Sequence, residues 1–247
     1  MTYWIFGASG VIGRELLDLA IQENFVVAFV GSDESKKSLE DFYDPSKIKV
    51  MKIDLASTRV VSEILSLSED KRFSPRKIVV SSRGNVALDF IDGNEAWINA
   101  AERDARISLY MPLRIISKIL DAPTKKLNSV IFLSSKYAVV AQDPFLYENP
   151  DQSMSSAYSA IRGGVISAVR SLAVKGARMG AEVNTLTIGG IQESTPNELG
   201  KRLDARLPTK RMLTSSQVAK TIYGFSKLED SGIVGANIII DNGWTLI

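Results

Sequence analysis

Seven short apolar runs, separated by longer stretches of mixed polarity, are the feature that most constrains how this chain can fold. Within each run the apolar residues are nearly continuous rather than alternating, which indicates strands buried on both faces. Strands that alternate with helical segments form a parallel sheet through crossover connections. The runs occupy residues 2–6, 25–30, 48–53, 77–80, 129–133, 183–188 and 236–240. We therefore expect a doubly wound α/β fold of about seven parallel strands, with residues 1–247 in a single domain.

Helical periodicity is clearest in four of the intervening stretches. Apolar side chains recur at helical spacing in residues 12–20, 109–120, 157–175 and 215–226. Two other segments, residues 143–156 and 192–214, are irregular and too long to be simple connections. Long loops in compact domains often cover a binding site, so residues 192–214 are predicted to form a substrate-covering lid.

Composition excludes several kinds of function. The chain has no histidine and no cysteine, so we expect neither Ser-His-Asp hydrolysis nor a metal site of imidazole or thiolate ligands. A net charge of +2 gives no basic footprint for nucleic acid. No apolar run approaches the ~20 residues of a membrane-spanning helix, and the first residues do not resemble a signal peptide. We therefore expect a cytoplasmic protein that binds neither nucleic acid nor membrane.

Regularly spaced glycines follow the first apolar run and precede the first helical stretch. Glycines in this position let the backbone turn tightly and approach a pyrophosphate, toward which the helix directs its N–H groups. This context predicts a Rossmann-like dinucleotide site, although the same spacing also suits a tight turn that binds nothing. The predicted contact residues of this glycine loop are Gly7, Ser9, Gly10, Val11, Ile12 and Gly13.

The end of the second run bears on the choice between NAD and NADP. An NAD site usually has a carboxylate there, which binds the ribose 2′-hydroxyl. This run is followed instead by Ser32, with Lys36 and Lys37 close behind. These side chains favour the 2′-phosphate of NADP over NAD, but a solvated helix start with Asp33 as its N-cap is an equally good interpretation.

Four segments in the appropriate order resemble the short-chain dehydrogenase/reductase family. They are the glycine loop, VIFLSS at residues 130–135, SSAYSAIRGGVISAVRSLAVKGARMGAEVNTLTIGGI at residues 155–191, and the tail NIIIDNGWTL. Together they span nearly the whole chain, so this resemblance is more specific than any single motif. It implies an NAD(P)-dependent oxidoreductase on a Rossmann-like fold.

The resemblance also implies catalytic roles. Ser135, with Ser134 as the fallback, matches the serine that hydrogen-bonds the substrate oxygen, and Tyr158 matches the general acid/base. Where the family has lysine four residues after this tyrosine, the chain has Arg162, and where it has a helix asparagine, the chain has Ser108. Because arginine is always charged and lies on the same helix face, Arg162 is expected to supply the cation beside Tyr158.

Further cofactor contacts are expected at the ends of later runs. Residues 81–84, SSRG, replace the family's Asn-Asn-Ala-Gly, and Ile188 replaces the proline of its Pro-Gly-Gly. After the third run, Asp54 can accept a hydrogen bond from the adenine amine or, alternatively, cap the next helix. The expected contacts are Asp54, Leu55, Ser82, Arg83, Gly84, Ile188, Gly189 and Ile191.

Basic residues of the predicted lid suggest an anionic substrate. Arg202 and Arg206 are four apart, so they could together hold a phosphate or carboxylate. A solvated helix face, partly balanced by Glu198 and Asp204, is the simpler interpretation. The stretches GGIQ, KRML and DNGWTL resemble family members linked to bacterial surface-sugar biosynthesis.

The leading hypothesis is an NAD(P)-dependent oxidoreductase that reduces a carbonyl or oxidises a secondary alcohol of a small molecule. Two alternatives stay open: a catalytically silent dinucleotide-binding sensor or scaffold, and a sugar-nucleotide epimerase or dehydratase. The family resemblance also implies a homodimer or homotetramer, packed through the helices at residues 109–120 and 161–172.

Overall fold

The computed structural model describes residues 1–84, 86–89, 93–122, 127–149 and 155–247. In these ranges the strands are β1 (Thr2–Phe6), β2 (Phe25–Val30), β3 (Ile48–Lys52), β4 (Lys77–Val80), β5 (Ser129–Ser135), β6 (Glu182–Ile188) and β7 (Asn237–Ile240). They form one parallel sheet in the order β3-β2-β1-β4-β5-β6-β7. The predicted α/β fold of seven parallel strands is confirmed.

Some strands differ in detail from the apolar runs. β5 continues past the predicted end at Leu133 as far as Ser135, because its backbone keeps pairing with β6 where the side chains become hydroxyls. β3 stops at Lys52, one residue earlier than predicted. The expectation of burial on both faces is wrong for β3 and β7, which are edge strands and only partly buried.

Helices pack on both faces of the sheet. They are α1 (Val11–Ala20), α2 (Asp33–Phe42), α3 (Val60–Glu69), α4 (Asn94–Ala105), α5 (Met111–Asp121), α6 (Ser156–Arg178), α7 (Asn197–Arg206) and α8 (Ser215–Ser226). One apolar layer contains side chains of α3, α5 and α6, and the other contains side chains of α1, α2 and α8. Within the described ranges, no helix is both long and apolar enough to cross a membrane.

A π-helical turn at Arg106–Tyr110 joins α4 to α5. The sequence predicted a helix only from residue 109, because α4 is polar and lacks a strong apolar stripe. π-helical turns are rare and occur often at functional sites. This one places Ser108 in the interior, where its side chain is 2% exposed.

The loops that follow β1 and β4 meet at the carboxyl edge of the sheet. From β1 the chain runs outward to β3 and then crosses back to β4, on the other side of β1. A Cβ at Gly7 would lie 2.8 Å from the Ser81 carbonyl oxygen, so the two loops are in direct contact. Such a crossing point is where open α/β sheets bind ligands.

The predicted lid contains a short 3-10 helix, Gln192–Ser194, followed by α7. α7 packs against another 3-10 turn, Pro144–Leu146, so the two irregular segments of the sequence are in contact. Of the segment at residues 143–156, residues 150–154 lie outside the described ranges.

Candidate active site

The glycine loop has room for side chains at only one of its three glycines. A Cβ at Gly13 would collide with the Gly7 carbonyl oxygen and lie 2.8 Å from Ala8 Cα, and Gly7 has a φ of 81°. At Gly10, by contrast, a Cβ would meet only the Gly7 carbonyl oxygen, at 3.5 Å. Gly10 is exposed and directly precedes α1, so its lack of a side chain suits a pyrophosphate at the N-terminus of that helix.

Arg14 links the glycine loop to α2, a role that no sequence motif indicated. Its Nε donates to the Ser9 carbonyl oxygen at 3.2 Å, and its Nη2 donates to Ser38 Oγ at 3.1 Å. The predicted contacts Val11 and Ile12 begin α1, where Val11 is exposed and Ile12 is partly buried.

Ser32 is the N-cap of α2, because its Oγ accepts a hydrogen bond from the Ser35 amide at 3.1 Å. The alternative in which Asp33 is the cap is therefore wrong, and Asp33 is the first residue of the helix. Ser32 is exposed at the end of β2, with Lys36 and Lys37 in the helix that it caps.

Asp54 lies in a turn after β3. Its Oδ1 accepts from the Ala56 amide at 2.9 Å, and α3 begins only at Val60, so the interpretation of Asp54 as a helix cap is wrong. Leu55 is buried beside it, with 7% exposed.

The loop after β4 packs onto the buried C-terminal end of α4. Ser82 Oγ donates to the Ile107 carbonyl oxygen at 3.2 Å, and the Gly84 amide donates to Asp104 Oδ1 at 3.0 Å. Arg83, between them, is exposed. Of the three predicted cofactor contacts in this loop, Ser82 and Gly84 thus already form hydrogen bonds within the protein.

The end of β6 is equally crowded. A Cβ at Gly189 would lie 2.8 Å from Asp241 Cα, so this position requires glycine. Ile188 is the last residue of the strand, and Ile191 forms a single parallel bridge to Leu213, which joins the two ends of the segment at residues 192–214.

The two serines at the end of β5 have different partners. Ser134 is 6% exposed, and its Oγ donates to the Arg162 carbonyl oxygen at 2.9 Å. Ser135 is partly buried, and its Oγ accepts from the Tyr137 amide at 3.3 Å; among the described residues its own proton is not donated to a protein group, so it is available to a substrate oxygen. This arrangement favours Ser135 over the fallback Ser134.

Tyr158 lies in the first turn of α6, just after the N-cap Ser155, and is partly buried. The Arg162 guanidinium carbon is 4.9 Å from the centroid of its ring. Arg162 is 4% exposed, and its Nη2 donates to Ser108 Oγ at 3.1 Å. Three of the four predicted catalytic residues, Tyr158, Arg162 and Ser108, therefore form one connected group.

Asp104, which no sequence motif indicated, completes this group. Its side chain is 1% exposed, and its Oδ1 accepts from Ser108 Oγ at 2.6 Å and lies 3.9 Å from Arg162 Nη2. The spacing of four residues between Asp104 and Ser108 on a helix is the one signal that could have identified it.

Tyr137, which lies near Tyr158, pairs with a third tyrosine. The hydroxyls of Tyr137 and Tyr147 are 3.0 Å apart. Burial raises the pKa of Tyr137, and the hydrogen bond to Tyr147 and the nearby Tyr158 raise it further. Tyr137 therefore stays a neutral hydrogen-bonding group at physiological pH.

Lys136 is a buried cation that no sequence motif indicated. It is 4% exposed, and its Nζ lies 3.5 Å from the centroid of the Trp244 ring. Burial lowers the pKa of Lys136 to about 8, against an opposing effect of Asp241. Lys136 lines a small cavity against the segment at residues 192–214, whose other walls include Leu203 and Trp244.

The lid arginines face carboxylates of the segment at residues 143–149. Arg206 pairs with Asp143, and Arg202 lies 3.6 Å from Glu148. In this conformation the two cations are balanced by the protein itself, as in the simpler interpretation, although by other carboxylates than expected. Asp204 instead accepts from the Met212 amide at 2.7 Å.

Comparison with known proteins places this geometry in a family. A family model described as enoyl-(acyl carrier protein) reductase matches residues 7–245. The chain is 25% identical to post-translational flagellin modification protein A of Campylobacter coli, over 98% of this chain and 97% of that protein. It is also 25% identical to a short-chain type dehydrogenase/reductase of Sinorhizobium fredii over 97% of this chain, but it spans only 43% of that relative's length.

A solved structure with the same fold is the short-chain dehydrogenase from Leptospira borgpetersenii with bound NAD+. The TM-score is 0.81 at 19% sequence identity, and the match covers 99% of this chain and 92% of that chain. Since the family model spans almost the whole sequence, the chain belongs to the short-chain dehydrogenase/reductase family. The family predicted from the sequence motifs is confirmed.

Proposed function

We propose that this protein is an NAD(P)-dependent oxidoreductase that reduces a carbonyl, or oxidises a secondary alcohol, of a small-molecule substrate. The observation that carries the proposal is the pairing of Tyr158 with a buried guanidinium, 4.9 Å from its ring centroid. A tyrosine beside a fixed cation is suited to give up and regain a proton.

The residues present fit a dinucleotide cofactor. The open side of the glycine loop at Gly10 would take the pyrophosphate, and Ser32 would face the adenosine ribose. Asp54 would meet the adenine, while Gly189 would lie by the nicotinamide. We propose NADP as the preferred cofactor, because the residue that follows the end of β2 at the predicted ribose site is Ser32 and not a carboxylate. When bound, the cofactor supplies the hydride donor or acceptor.

The chain's own groups handle the proton and the orientation of the substrate. In reduction, the Tyr158 hydroxyl donates its proton to the substrate oxygen, and the Ser135 hydroxyl donates a hydrogen bond to that same oxygen. The phenolate that Tyr158 becomes is stabilised by Arg162 on the face of its ring. In alcohol oxidation the same phenolate oxygen accepts the proton.

For the substrate we propose a sugar or sugar-derived ketone or alcohol, used in building surface polysaccharide or a related glycan. The Campylobacter coli relative, which is named for flagellin modification, supports a role in such modification chemistry. We further propose a cytoplasmic location and a homodimer or homotetramer, as the family resemblance implies.

The alternative of a silent dinucleotide-binding protein is favoured by one observation: Arg162 points into the interior, where it hydrogen-bonds Ser108. Fluorescence titration with NADPH and NADH, followed by NADPH consumption over a panel of keto sugars, separates the two. Binding with turnover supports the oxidoreductase. Binding without turnover on any panel member supports the silent protein, and no binding rejects both.

A further inference from the structure

The buried C-terminal end of α4 carries a carboxylate, Asp104, for which the proposed chemistry gives no direct role. Asp104 accepts hydrogen bonds from Ser108 Oγ at 2.6 Å and from the Gly84 amide at 3.0 Å. Among the described residues, it is the one carboxylate within ion-pair distance of Arg162. Both hydrogen bonds and the approach of the guanidinium fall on the same oxygen, Oδ1.

We propose that Asp104 is a positioning residue that balances the charge of Arg162 and holds its guanidinium against the face of Tyr158. The proposal rests on the proposed function only in taking Tyr158 as the group that ionises. A buried guanidinium without a counter-charge is strongly unfavourable. Ser108 offers Arg162 a hydrogen bond but no charge, so the neutralising group has to be Asp104.

The contacts around Asp104 also connect this pair to the predicted cofactor loop. A Cβ at Gly84 would lie 2.8 Å from Asp104 Cα, so the loop after β4 packs tightly on this residue. Asp104 therefore joins the loop at Gly84 to the helix that carries Arg162.

The charge of Asp104 has a measurable consequence at Tyr158. A carboxylate behind the guanidinium offsets part of its attraction for the phenolate, so removing that carboxylate should make Tyr158 ionise at lower pH. Among the described residues, Arg162 on α6 and Tyr137 after β5 interact with this ring. Lys136 and Arg206 face Trp244 instead.

The test is a near-ultraviolet titration of phenolate absorbance in the full chain, which needs no substrate. Subtracting the titration curve of Tyr158→Phe from that of wild type gives the curve of Tyr158 alone. Subtracting the curve of Asp104→Asn/Tyr158→Phe from that of Asp104→Asn gives the curve of Tyr158 in the variant. Asn keeps an acceptor oxygen for Ser108 and Gly84. We expect the midpoint to move to lower pH by on the order of one unit. The control Glu102→Gln removes an exposed charge from the same helix and should leave the midpoint unchanged.

An unchanged midpoint in a folded Asp104→Asn variant that still binds NADPH would overturn the proposal and leave Asp104 a purely structural residue. If Asp104→Asn fails to fold, Asp104→Asn/Arg162→Met removes both charges together. Recovery of folding in that double variant, measured by circular dichroism, supports charge balance, and no recovery contradicts it. Because neither measurement uses a carbonyl substrate, absence of turnover would count against the proposed function alone.

Discussion

The Arg162 guanidinium carbon lies 4.9 Å from the centroid of the Tyr158 ring, while its Nη2 donates to Ser108 on another helix. A lysine has a single ammonium at the end of a flexible stem, whereas the flat arginine fork can face a ring and donate sideways at once. Arg162 is therefore fixed by a hydrogen bond to the buried Ser108 and still presents its charge to the Tyr158 ring.

Variants of Arg162 should separate its charge from its shape. Arg162→Met leaves Asp104 as an unpaired buried carboxylate, so the free energy of unfolding should fall by roughly 3–5 kcal/mol. The optimum pH of turnover should rise, because the cation that favours the phenolate is lost. Arg162→Lys keeps the charge and should keep or raise turnover. Denaturant unfolding and a pH–rate profile measure both effects, and a Met variant as stable as wild type would contradict the role of the pair.

Substitutions in the glycine loop should distinguish folding from cofactor binding. Gly13→Ala places a methyl group against the loop's own backbone and should lower both stability and NADPH affinity. Gly10→Ala meets only one carbonyl oxygen, at 3.5 Å, so the thermal midpoint should hold while NADPH binding weakens. Gly224→Ala in α8 has open space and should keep binding while stabilising the helix by up to ~1 kcal/mol. Unweakened binding by Gly10→Ala would place the pyrophosphate elsewhere.

Ser32 should control the choice of cofactor. The wild type should bind NADPH more tightly than NADH. Ser32→Asp preserves the N-cap of α2, since aspartate caps helices as well as serine does. Its carboxylate would repel a 2′-phosphate and accept from a 2′-hydroxyl, so the ratio of the two dissociation constants should move toward NADH by on the order of tenfold. Ser32→Thr, which also caps, is the control. A wild type that prefers NADH would refute the assignment.

Lys136 should give stability a pH dependence. Its pKa is about 8 when folded and 10.5 when unfolded. Between these values the unfolded chain binds more protons, so the free energy of unfolding contributed by Lys136 rises with pH, by up to ~1.4 kcal/mol per unit. Lys136→Met should be more stable than wild type at pH 7, and the advantage should shrink as pH rises from 8 to 10.5. The exposed Lys220→Met is the control, and a constant difference at every pH would contradict the prediction.

Much of the fold was predictable because buried parallel strands leave a strong apolar signal. The boundaries of β1, β2 and β4 coincide with their apolar runs. The polar helix α4 was not recognised, and α2 was expected only as an alternative helix start at Asp33, since their low apolar content leaves little periodicity. The end of β5 was missed because backbone pairing with β6, not side-chain hydrophobicity, extends it to Ser135.

The residue types of the candidate site were predictable, but the hydrogen bonds and the ion pair that connect them were not. Ser135, Tyr158 and Arg162 follow from motif positions along the sequence. Asp104 stands among other charged residues of a polar helix and is buried just before the π-helical turn that follows it. Such a turn has no spacing signature, so the ion pair with Arg162 emerged only from the packing of α4 against α6.

The most direct test of the central claim is NADPH consumption over a panel of sugar-type ketones, comparing wild type with Tyr158→Phe. The substitution removes one hydroxyl and leaves the ring on which Arg162 lies. Wild type should reduce at least one ketone, and Tyr158→Phe should lose that turnover while binding NADPH with unchanged affinity. Equal rates in the two proteins, or no turnover in either, would contradict the assignment of Tyr158 as the group that moves the proton.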